Sequence, residues 1–311
     1  MNFLFLFMDG IGLGEDDSEI NPFSFAKMPH LSKLLDGNKI VMGVAPLETD
    51  RATLLSLDAS LGVEGRPQSA SGQATLLTGK NVPKIIGEHF GPKPNQPIRN
   101  VIIEGSIFSI LRDNNLSVSL LNAYPQGYFD GINSGKRLYS AIPQALHFAD
   151  VKLNTTEDLY AGNALAADFT GDGWRKHLGY TDSPVMDESS AGKQLGKLTT
   201  DNDFAFFEYW PSDYAGHKQD KKAAIDLLES FDGVMGGLLD HWNDEEGLIL
   251  ITSDHGNMED LSVRKHTMNQ VPGLVIGSRE LRKKFTQNMN NLTDIAPAIL
   301  NLYGLGINDE N

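Results

Sequence analysis

Four short and almost purely apolar runs constrain the fold of this chain more than any other feature of its sequence. They lie at residues 1–8, 204–209, 247–252 and 271–276. Runs of this length match β-strands, and strands that are apolar on both faces must be covered on both faces. A fifth segment, residues 221–242, has apolar side chains at three- and four-residue spacing, which is typical of a helix with one buried face. We therefore predict an α/β fold with a mainly parallel sheet sandwiched by helices.

Weaker patterns predict further elements of this core. Helical spacing extends over residues 23–35, and residues 39–44 have the composition of a strand. A closing helix is expected over residues 294–303, with Thr293 as its N-cap and Gly304 as its stop.

One long segment, residues 91–202, departs from this alternation of strand and helix. It is rich in Gly, Pro, Asn and Asp, and its strands are short and weak. A chain of 311 residues is longer than one core usually needs, so a second, smaller unit is expected. We predict that residues 1–90 and 203–311 form a metal-binding catalytic core and that residues 91–202 form an inserted α+β cap that contacts the substrate.

Charge and composition argue against several classes of function. The chain carries 26 Lys and Arg against 41 Asp and Glu, a net charge of −15, which opposes binding to nucleic acid or to an anionic membrane. It has no cysteine, which excludes disulfides, thiolate metal sites and cysteine nucleophiles. No apolar run reaches the roughly 18 residues of a membrane span, and the apolar start lacks the positive charge of a signal peptide. We expect a cytoplasmic protein.

Carboxylates and imidazoles follow three of the predicted strands. Open α/β sheets bind their ligands at the carboxyl ends of the strands, so these side chains are expected to converge. Each residue alone is more often an ordinary turn or surface residue, but three strand ends with the same ligand types argue for one site. Oxygen and nitrogen ligands without thiolates suit a pair of divalent ions such as Mn²⁺ or Zn²⁺. The candidates are Asp9 after the first strand, Asp213 and His217 after the second, Asp254 and His255 after the third, and His266 in a later loop.

Ser69 lies at the start of a small-residue turn that leads into an apolar helical run, within residues 67–79. A serine at such an entry lies beside free backbone N–H groups and the positive end of the helix dipole, which favours a bound phosphate. The commonest use of such a serine is as a helix N-cap. Beside two metal ions, however, a hydroxyl is placed for in-line displacement at phosphorus. These residues together predict two-metal phosphoryl transfer with a serine nucleophile and a small phosphorylated substrate.

The motifs, in this order, resemble the alkaline phosphatase superfamily and above all the metalloenzyme core of cofactor-independent phosphoglycerate mutases. The resemblance covers about residues 1–90 and 203–306 and rests on Asp9-Gly10, on Pro67-Gln68-Ser69 with Gly72 and Gly79, and on the blocks 213–217, 252–259, 266–272 and 292–297. It implies a phosphoserine intermediate on Ser69, which the threonine-glycine pair ending ten residues later selects over Ser71. It also implies one ion on Asp213, His217 and His266, and a second on Asp9, Asp254, His255 and Ser69.

The sequence departs from the mutases in its insert. This insert is shorter and lacks their Ser-Asp-Gly-Gly-Val-His type of run and their several substrate arginines. We therefore expect hydrolysis of a phosphomonoester rather than return of the phosphoryl group to the same substrate. The alternatives are a phosphoglycerate or phosphosugar mutase, a phosphodiesterase, and a catalytically inactive protein that binds metal or phosphate. The candidates for contacting the rest of the substrate are Arg66, Lys84, His89 and Arg137.

Overall fold

A seven-stranded sheet forms the centre of the protein in the computed structural model, which describes residues 1–306. Its strands are β1 (Asn2–Met8), β2 (Leu47–Glu48), β3 (Ala52–Leu57), β4 (Val118–Leu120), β5 (Phe204–Tyr209), β6 (Gly247–Thr252) and β7 (Val271–Ile276). They lie in the order β2-β3-β7-β6-β1-β5-β4. Strands β4, β5, β1 and β6 are parallel neighbours, whereas β7 is antiparallel to both β6 and β3, and β2 is antiparallel to β3. The predicted α/β class is confirmed, with antiparallel pairs added beyond β6.

Helices cover both faces of this sheet. In the described part of the chain they are α1 (Pro29–Leu34), α2 (Ser69–Thr78), α3 (Val82–Ile86), α4 (Gln96–Ile103), α5 (Ile107–Asp113), α6 (Gln126–Asn133), α7 (Ala141–Phe148), α8 (Thr156–Tyr160), α9 (Asp172–Leu178), α10 (Glu188–Thr200), α11 (Pro211–Lys218), α12 (Lys221–Leu239), α13 (Arg279–Thr286) and α14 (Ile295–Leu302), with short 3₁₀ helices at Pro22–Ser24 and Leu292–Asp294. Among residues 1–306, no helix combines the length and the apolar character that a membrane span requires.

The strand alternation sorts the buried side chains into two cores. Because successive strand residues point to opposite faces, Phe3, Phe5 and Phe7 of β1 pack on one side of the sheet, against apolar residues of α2, α4, α5, α7 and α14. Leu4 and Leu6 pack on the other side, against α1, α10 and α12. A central strand that is apolar on both faces therefore needs this two-sided cover.

The strand directions bring five chain segments to one edge of the sheet. Strands β1, β5 and β6 are parallel, so the segments that follow them leave at the same edge. Strand β3 is antiparallel to β7, which is antiparallel to β6, so β3 ends at this edge as well. For the same reason β7 begins there, with Gly273 opposite Thr252. We call this edge the carboxyl edge, and all the predicted metal ligands lie in segments that border it.

Three local predictions are wrong. Residues 39–44 form turns instead of a strand, because Gly43 adopts a φ of +82° and turns the chain. The helical pattern of residues 23–35 is divided, since Pro29 starts a separate helix, α1. Thr293 is not a helix cap: it lies within a 3₁₀ helix capped by Asn291, and Asp294 precedes α14.

The segment predicted to be an inserted cap contributes to the main cores. Within residues 91–202, β4 pairs with β5, and α10 packs against α12. A separate small apolar cluster of Ala123, Leu159, Ala164, Ala166 and Trp174 lies in the same segment. The boundaries at residues 90 and 202 stay a prediction, and residues 307–311 of the predicted core lie outside the described residues.

Candidate metal centre and nucleophile

The first candidate ligand group lies on α11 and on the loop before β7. Helix α11 begins with Pro211 directly after β5, and it places Asp213 and His217 one turn apart. His217 Nε2 lies 3.3 Å from Asp213 Oδ2 and 3.3 Å from His266 Nε2, and His266 Nε2 lies 3.8 Å from Asp213 Oδ1. The three side chains are close enough to hold a single metal ion.

Backbone carbonyls orient the two imidazoles of this group. His217 Nδ1 donates to the carbonyl of Arg264 at 2.9 Å, and His266 Nδ1 donates to the carbonyl of Pro67 at 2.8 Å. In a neutral ring this leaves the lone pair on Nε2, which faces Asp213. A metal-binding histidine usually donates a hydrogen bond from its other ring nitrogen to a carbonyl or carboxylate oxygen. This hydrogen bond fixes both the tautomer and the ring orientation.

The second candidate group surrounds His255 at the ends of β1 and β6. His255 Nε2 lies 3.4 Å from Asp9 Oδ1, 3.6 Å from Asp254 Oδ2 and 3.0 Å from the hydroxyl oxygen of Ser69. Asp213 is also within metal-binding reach of Asp9 and His255. The structure thus brings together all seven predicted site residues, and Asp213 connects the two groups.

Ser69 occupies the first position of α2 and does not cap the helix. Gln68 is the N-cap residue and makes no side-chain cap bond, while the Ser69 hydroxyl faces His255. Within residues 1–306, the N–H groups of Ser69 and Ala70 have no hydrogen-bond acceptor, so they are available to an anion. Ser71 is different: its side chain is fully buried, donates to the carbonyl of Gln68 and accepts from the N–H of Phe90. This contrast favours Ser69 as the nucleophile.

Burial and mutual repulsion shift the pKa values of the carboxyl groups. Burial, together with the charges of Asp254 and Asp213, raises the pKa of Asp9 well above its ordinary value. Burial and the charge of Asp213 raise the pKa of Asp254 to about 8. Burial also acts to raise the pKa of Asp213, but hydrogen bonds from His217 and Asn257 hold it at about 2. Burial lowers the pKa of His255 to about 3, so its ring is neutral at pH 7.

This accumulation of buried carboxylates fits a pair of divalent cations. Within the described residues, Asp9 Oδ1 is a buried oxygen with no hydrogen-bond partner, and Asp9 and Asp254 make no ion pair with Lys or Arg. Besides His255, their side-chain partners are the Gln73 amide, at 3.4 Å from Asp9 and 3.2 Å from Asp254, and the Ser253 hydroxyl, at 3.4 Å from Asp254. Leaving buried carboxylates unpaired costs several kcal/mol, and bound metal ions remove that cost. The oxygen and nitrogen donors suit Mn²⁺ or Zn²⁺.

Two glycines let the segments of the site approach each other. A Cβ on Gly72 of α2 would lie 2.9 Å from the Cβ of Asp254, and a Cβ on Gly10 would lie 2.5 Å from Asp213 Oδ1. Gly10 also adopts a φ of +69°, a conformation that other residues rarely adopt. Any larger side chain would therefore push α2 or α11 away from the carboxyl edge.

Sequence reasoning missed four polar residues around the site. Glu259 ties three loops together, because its carboxylate accepts from the N–H groups of Gly12 and Asn257 and from the side chains of Thr267 and Asn269. The other three are Asn257, which donates to Asp213 Oδ1 at 2.6 Å, Gln73 and Glu208. Glu208 had a visible signal: it is the single charged residue in the otherwise apolar β5.

The predicted substrate contacts occupy different places. Arg66 and His89 line an open pocket together with Gln68, next to Ser69. Lys84 lies exposed on α3 and does not line this pocket. Arg137 lies over the ring of Tyr128, with its guanidinium carbon 4.8 Å from the ring centre. Contact of any of these side chains with a substrate stays a prediction.

Part of the chain is similar to known metalloenzymes. A family model described as the metalloenzyme superfamily matches residues 167–307. A 2,3-bisphosphoglycerate-independent phosphoglycerate mutase of Clostridioides difficile is 35% identical over 121 residues, which are 36% of this chain and 24% of that protein. The corresponding mutase of Thermococcus gammatolerans is 32% identical over 99 residues, 32% of this chain and 24% of the relative. The matches thus span about a quarter of the length of these relatives.

Solved structures share the fold over the whole chain. The alkaline phosphatase of the Antarctic bacterium TAB5 superposes with a TM-score of 0.54 at 14% identity, over 98% of this chain and 99% of that one. A phosphoglycerate mutase of Leishmania mexicana superposes with a TM-score of 0.51 at 11% identity, over 99% of this chain and 96% of that one. The family-model match over residues 167–307, the mutase relatives and the common fold agree with one another, and together they support a place for this chain in the alkaline phosphatase superfamily.

Proposed function

We propose that this protein hydrolyses phosphomonoesters of small molecules, with Ser69 as the nucleophile and two divalent metal ions as cofactors. The observation that carries the proposal is the position of the Ser69 hydroxyl. It lies at the start of α2, 3.0 Å from His255 Nε2 and next to both candidate ligand groups. A hydroxyl so placed can attack a phosphorus atom that the free N–H groups of the helix start help to hold.

Asp213, His217 and His266 would hold one ion, and Asp9, Asp254, His255 and Ser69 would hold the other. When bound, the ions supply positive charge that lowers the pKa of a hydroxyl and stabilises the leaving oxygen. Within the chain itself, the Ser69 hydroxyl gives up its proton to solvent and its Oγ forms a bond to phosphorus as the ester P–O bond breaks, and the leaving oxygen takes up a proton from solvent to depart as the alcohol. Water then cleaves the phosphoserine and releases inorganic phosphate, which restores the hydroxyl.

A panel of phosphoesters, tested with Mn²⁺, Zn²⁺ and Mg²⁺, tests this proposal. We expect phosphate release from several phosphomonoesters with Mn²⁺ or Zn²⁺ and little release after chelation. If a protein that binds metal neither releases phosphate from any ester nor isomerises any of them, an inactive binding protein is the remaining alternative.

A mutase is the second candidate, and the curated relatives favour it. They are phosphoglycerate mutases at 32–35% identity over about a third of this chain. A mutase must retain the dephosphorylated substrate and exclude water between two transfers, which requires several fixed positioning groups. Incubation with phosphoglycerates and phosphosugars, followed for both free phosphate and positional isomers, separates the two candidates. We expect free phosphate, and rapid isomerisation with negligible phosphate release would establish the mutase instead.

A further inference from the structure

Glu259 is a buried carboxylate that belongs to neither candidate ligand group. The residue is 1% exposed, and donors of the protein use both of its oxygens. Oε2 accepts from the N–H groups of Gly12 at 2.9 Å and of Asn257 at 2.7 Å. Oε1 accepts from the Thr267 hydroxyl and, at 3.0 Å, from the Asn269 amide. A carboxylate offers about four lone-pair sites, so none is left here for a metal ion.

The surroundings of this carboxylate fix its place. A Cβ on Gly12 or on Gly256 would collide with Glu259 Oε1, so only glycine fits at either position. Across the described residues 1–306, Glu259 makes no ion pair with a Lys, Arg or His side chain. Its four hydrogen bonds therefore offset the cost of burying its charge. The loops that carry these four donors are held in one arrangement, because a lost donor leaves a buried charge less well satisfied.

One of these donors connects Glu259 to Asp213. Asn257, whose N–H Glu259 holds, donates from its side-chain amide to Asp213 Oδ1 at 2.6 Å and to the Asp213 carbonyl at 3.2 Å. A Cβ on Gly216 would lie 2.7 Å from Asn257 Cγ, so Asn257 packs directly against α11. Asp213 is the residue that both ligand groups share. The position of Asn257 therefore determines where the shared carboxylate lies.

A second donor connects Glu259 to two histidine rings, one from each ligand group. Thr267 directly follows His266, and its N–H donates to the carbonyl of Gly256 at 2.9 Å in an antiparallel bridge. Gly256 directly follows His255. The rings of His255 and His266 are stacked, with their centres 3.7 Å apart and 14° between their planes. By holding the Thr267 hydroxyl, Glu259 holds the bridge that sets the spacing of these rings.

We propose that Glu259 is a positioning residue of the metal centre, which sets the separation of the two ligand groups through Asn257 and Thr267. This inference rests on the proposed function, because it takes the two groups to hold the ions of that function. Glu259 acts on the ligands without contacting an ion. Substitution of a residue that orients metal ligands typically lowers metal affinity by about 10- to 100-fold, because the ligands lose their fixed orientation.

Calorimetric titration of E259Q with Mn²⁺ tests this role. The variant keeps the shape of the side chain and replaces one acceptor oxygen by an NH₂ group. The two backbone N–H groups can only donate, so the remaining oxygen must face them and the NH₂ group must face the Thr267 hydroxyl. E259Q should therefore keep the connection through Asn257 and weaken the one through Thr267. We expect the ion on the group that contains His266 to bind about 10- to 100-fold more weakly than in the wild type.

Electron paramagnetic resonance of the protein saturated with Mn²⁺ gives a readout that does not depend on activity. Two neighbouring Mn²⁺ ions couple magnetically, and the coupling depends on their separation, so E259Q should change the coupled spectrum. E48Q is the matched control. Glu48 also accepts two side-chain hydrogen bonds, from Arg282 at 2.7 Å and from Thr53 at 2.6 Å, but it lies near the start of β3, away from the carboxyl edge. E48Q should lower stability and keep the wild-type spectrum and metal affinities.

A smaller change at Thr267 tests the same hydrogen bond in case E259Q does not fold. T267V removes the hydroxyl donor and keeps the volume of the side chain, and we expect it to weaken the same ion as E259Q does. T267S keeps the hydroxyl and should bind both ions as the wild type does. Addition of T267V to E259Q should have little further effect, because both substitutions remove the same hydrogen bond.

The outcomes separate this inference from the proposed function. Wild-type Mn²⁺ affinities and spectra in E259Q and T267V, with phosphoester hydrolysis intact, would overturn the role of Glu259 alone. Equal losses in T267V and T267S, or losses in E48Q as large as those in E259Q, would show a general loss of packing and overturn it as well. The expected changes, in a protein that releases no phosphate from any ester, would support this inference and contradict the hydrolase. Absence of Mn²⁺ binding in the wild type would overturn both.

Discussion

The two serines at the start of α2 differ in what their hydroxyls do, although they lie two residues apart. The hydroxyl of Ser69 points into the site, whereas that of Ser71 fastens the helix start to Phe90. The same helix thus carries the proposed nucleophile and the hydrogen bond that holds the helix start in place. Substitution of Ser69 should therefore affect catalysis, whereas substitution of Ser71 should affect stability.

Substitution of each serine by alanine tests this separation. We expect S69A to fold with near wild-type stability and to lose about three orders of magnitude or more in phosphoester turnover, because its nucleophile is gone. S71A should retain turnover but lose about 1–2 kcal/mol of unfolding free energy, because the partly buried N–H of Phe90 loses its acceptor. Turnover assays and denaturant unfolding measure both effects. Turnover kept in S69A and abolished in S71A would identify Ser71 as the nucleophile.

Gly72 lets α2 pack closely against the candidate metal ligand Asp254. The added Cβ of G72A would press on Asp254, so we expect a loss of about 1–3 kcal/mol in unfolding free energy and weaker metal binding. Gly127 on α6 is the control, because a Cβ there meets nothing within 4 Å. G127A should be neutral or stabilising by up to about 1 kcal/mol. Equal behaviour of the two variants in thermal unfolding and metal titration would refute the packing argument.

At the scale of elements, α11 places two candidate metal ligands, Asp213 and His217, one helical turn apart. Removal of the His217 imidazole leaves Asp213 and His266, and we expect H217A purified without chelator to contain fewer metal ions per chain than the wild type. Exposed His177 on α9 is the control, and H177A should keep the wild-type metal content. Elemental analysis of the wild type, H217A and H177A measures the number of metal ions per chain. Unchanged metal content in H217A would show that the ligand assignment is wrong.

The sequence predicted the elements whose pattern is local and strong. β5, β6 and β7 lie where their apolar runs indicated, and α12 begins at the predicted Lys221. The strand predicted for residues 39–44 is wrong because a short apolar stretch does not distinguish a strand from a buried turn. Gly43 adopts the positive φ that the turn requires. The antiparallel placement of β7 between β6 and β3 depends on long-range pairing that no local pattern encodes.

The site was predictable to the extent that its residues follow strands. Asp9, Asp213 and Asp254 could be named as candidates because each comes directly after, or soon after, an apolar run. Glu259 and Gln73 were missed, because their importance lies in hydrogen bonds between segments distant in sequence. Their roles became visible once the carboxyl edge had been assembled.

At the scale of the whole molecule, Glu208 links pH to stability. Burial raises its pKa to about 7, while the charge of Lys93 and the hydrogen bond of Tyr124 act to lower it, and Asp9 is the acidic neighbour. Between about pH 4.5 and 7, the Glu208 carboxyl is therefore protonated in the folded state and ionised in the unfolded state. The associated stability, about 3 kcal/mol, is present below about pH 4.5 and is lost as pH rises through about 7.

Unfolding with saturating Mn²⁺, as a function of pH, tests this linkage, because bound ions keep the other site carboxylates deprotonated. We expect the free energy of unfolding of the wild type to fall between about pH 5 and 7 more steeply than that of E208Q. E229Q is the control for a glutamate on the protein surface, and its profile should follow the wild type. Parallel profiles for all three proteins would exclude a raised pKa of Glu208.

The central claim is that a phosphoryl group passes through Ser69 to water, and rapid-quench mass spectrometry tests it most directly. The metal-loaded protein is mixed with a phosphomonoester that it turns over, quenched in acid within the first turnover and digested. The account predicts a phosphorylated peptide with the modification on Ser69, formed before free phosphate accumulates and absent in S69A. Release of phosphate at full rate, with Ser69 unmodified at every quench time, would contradict it.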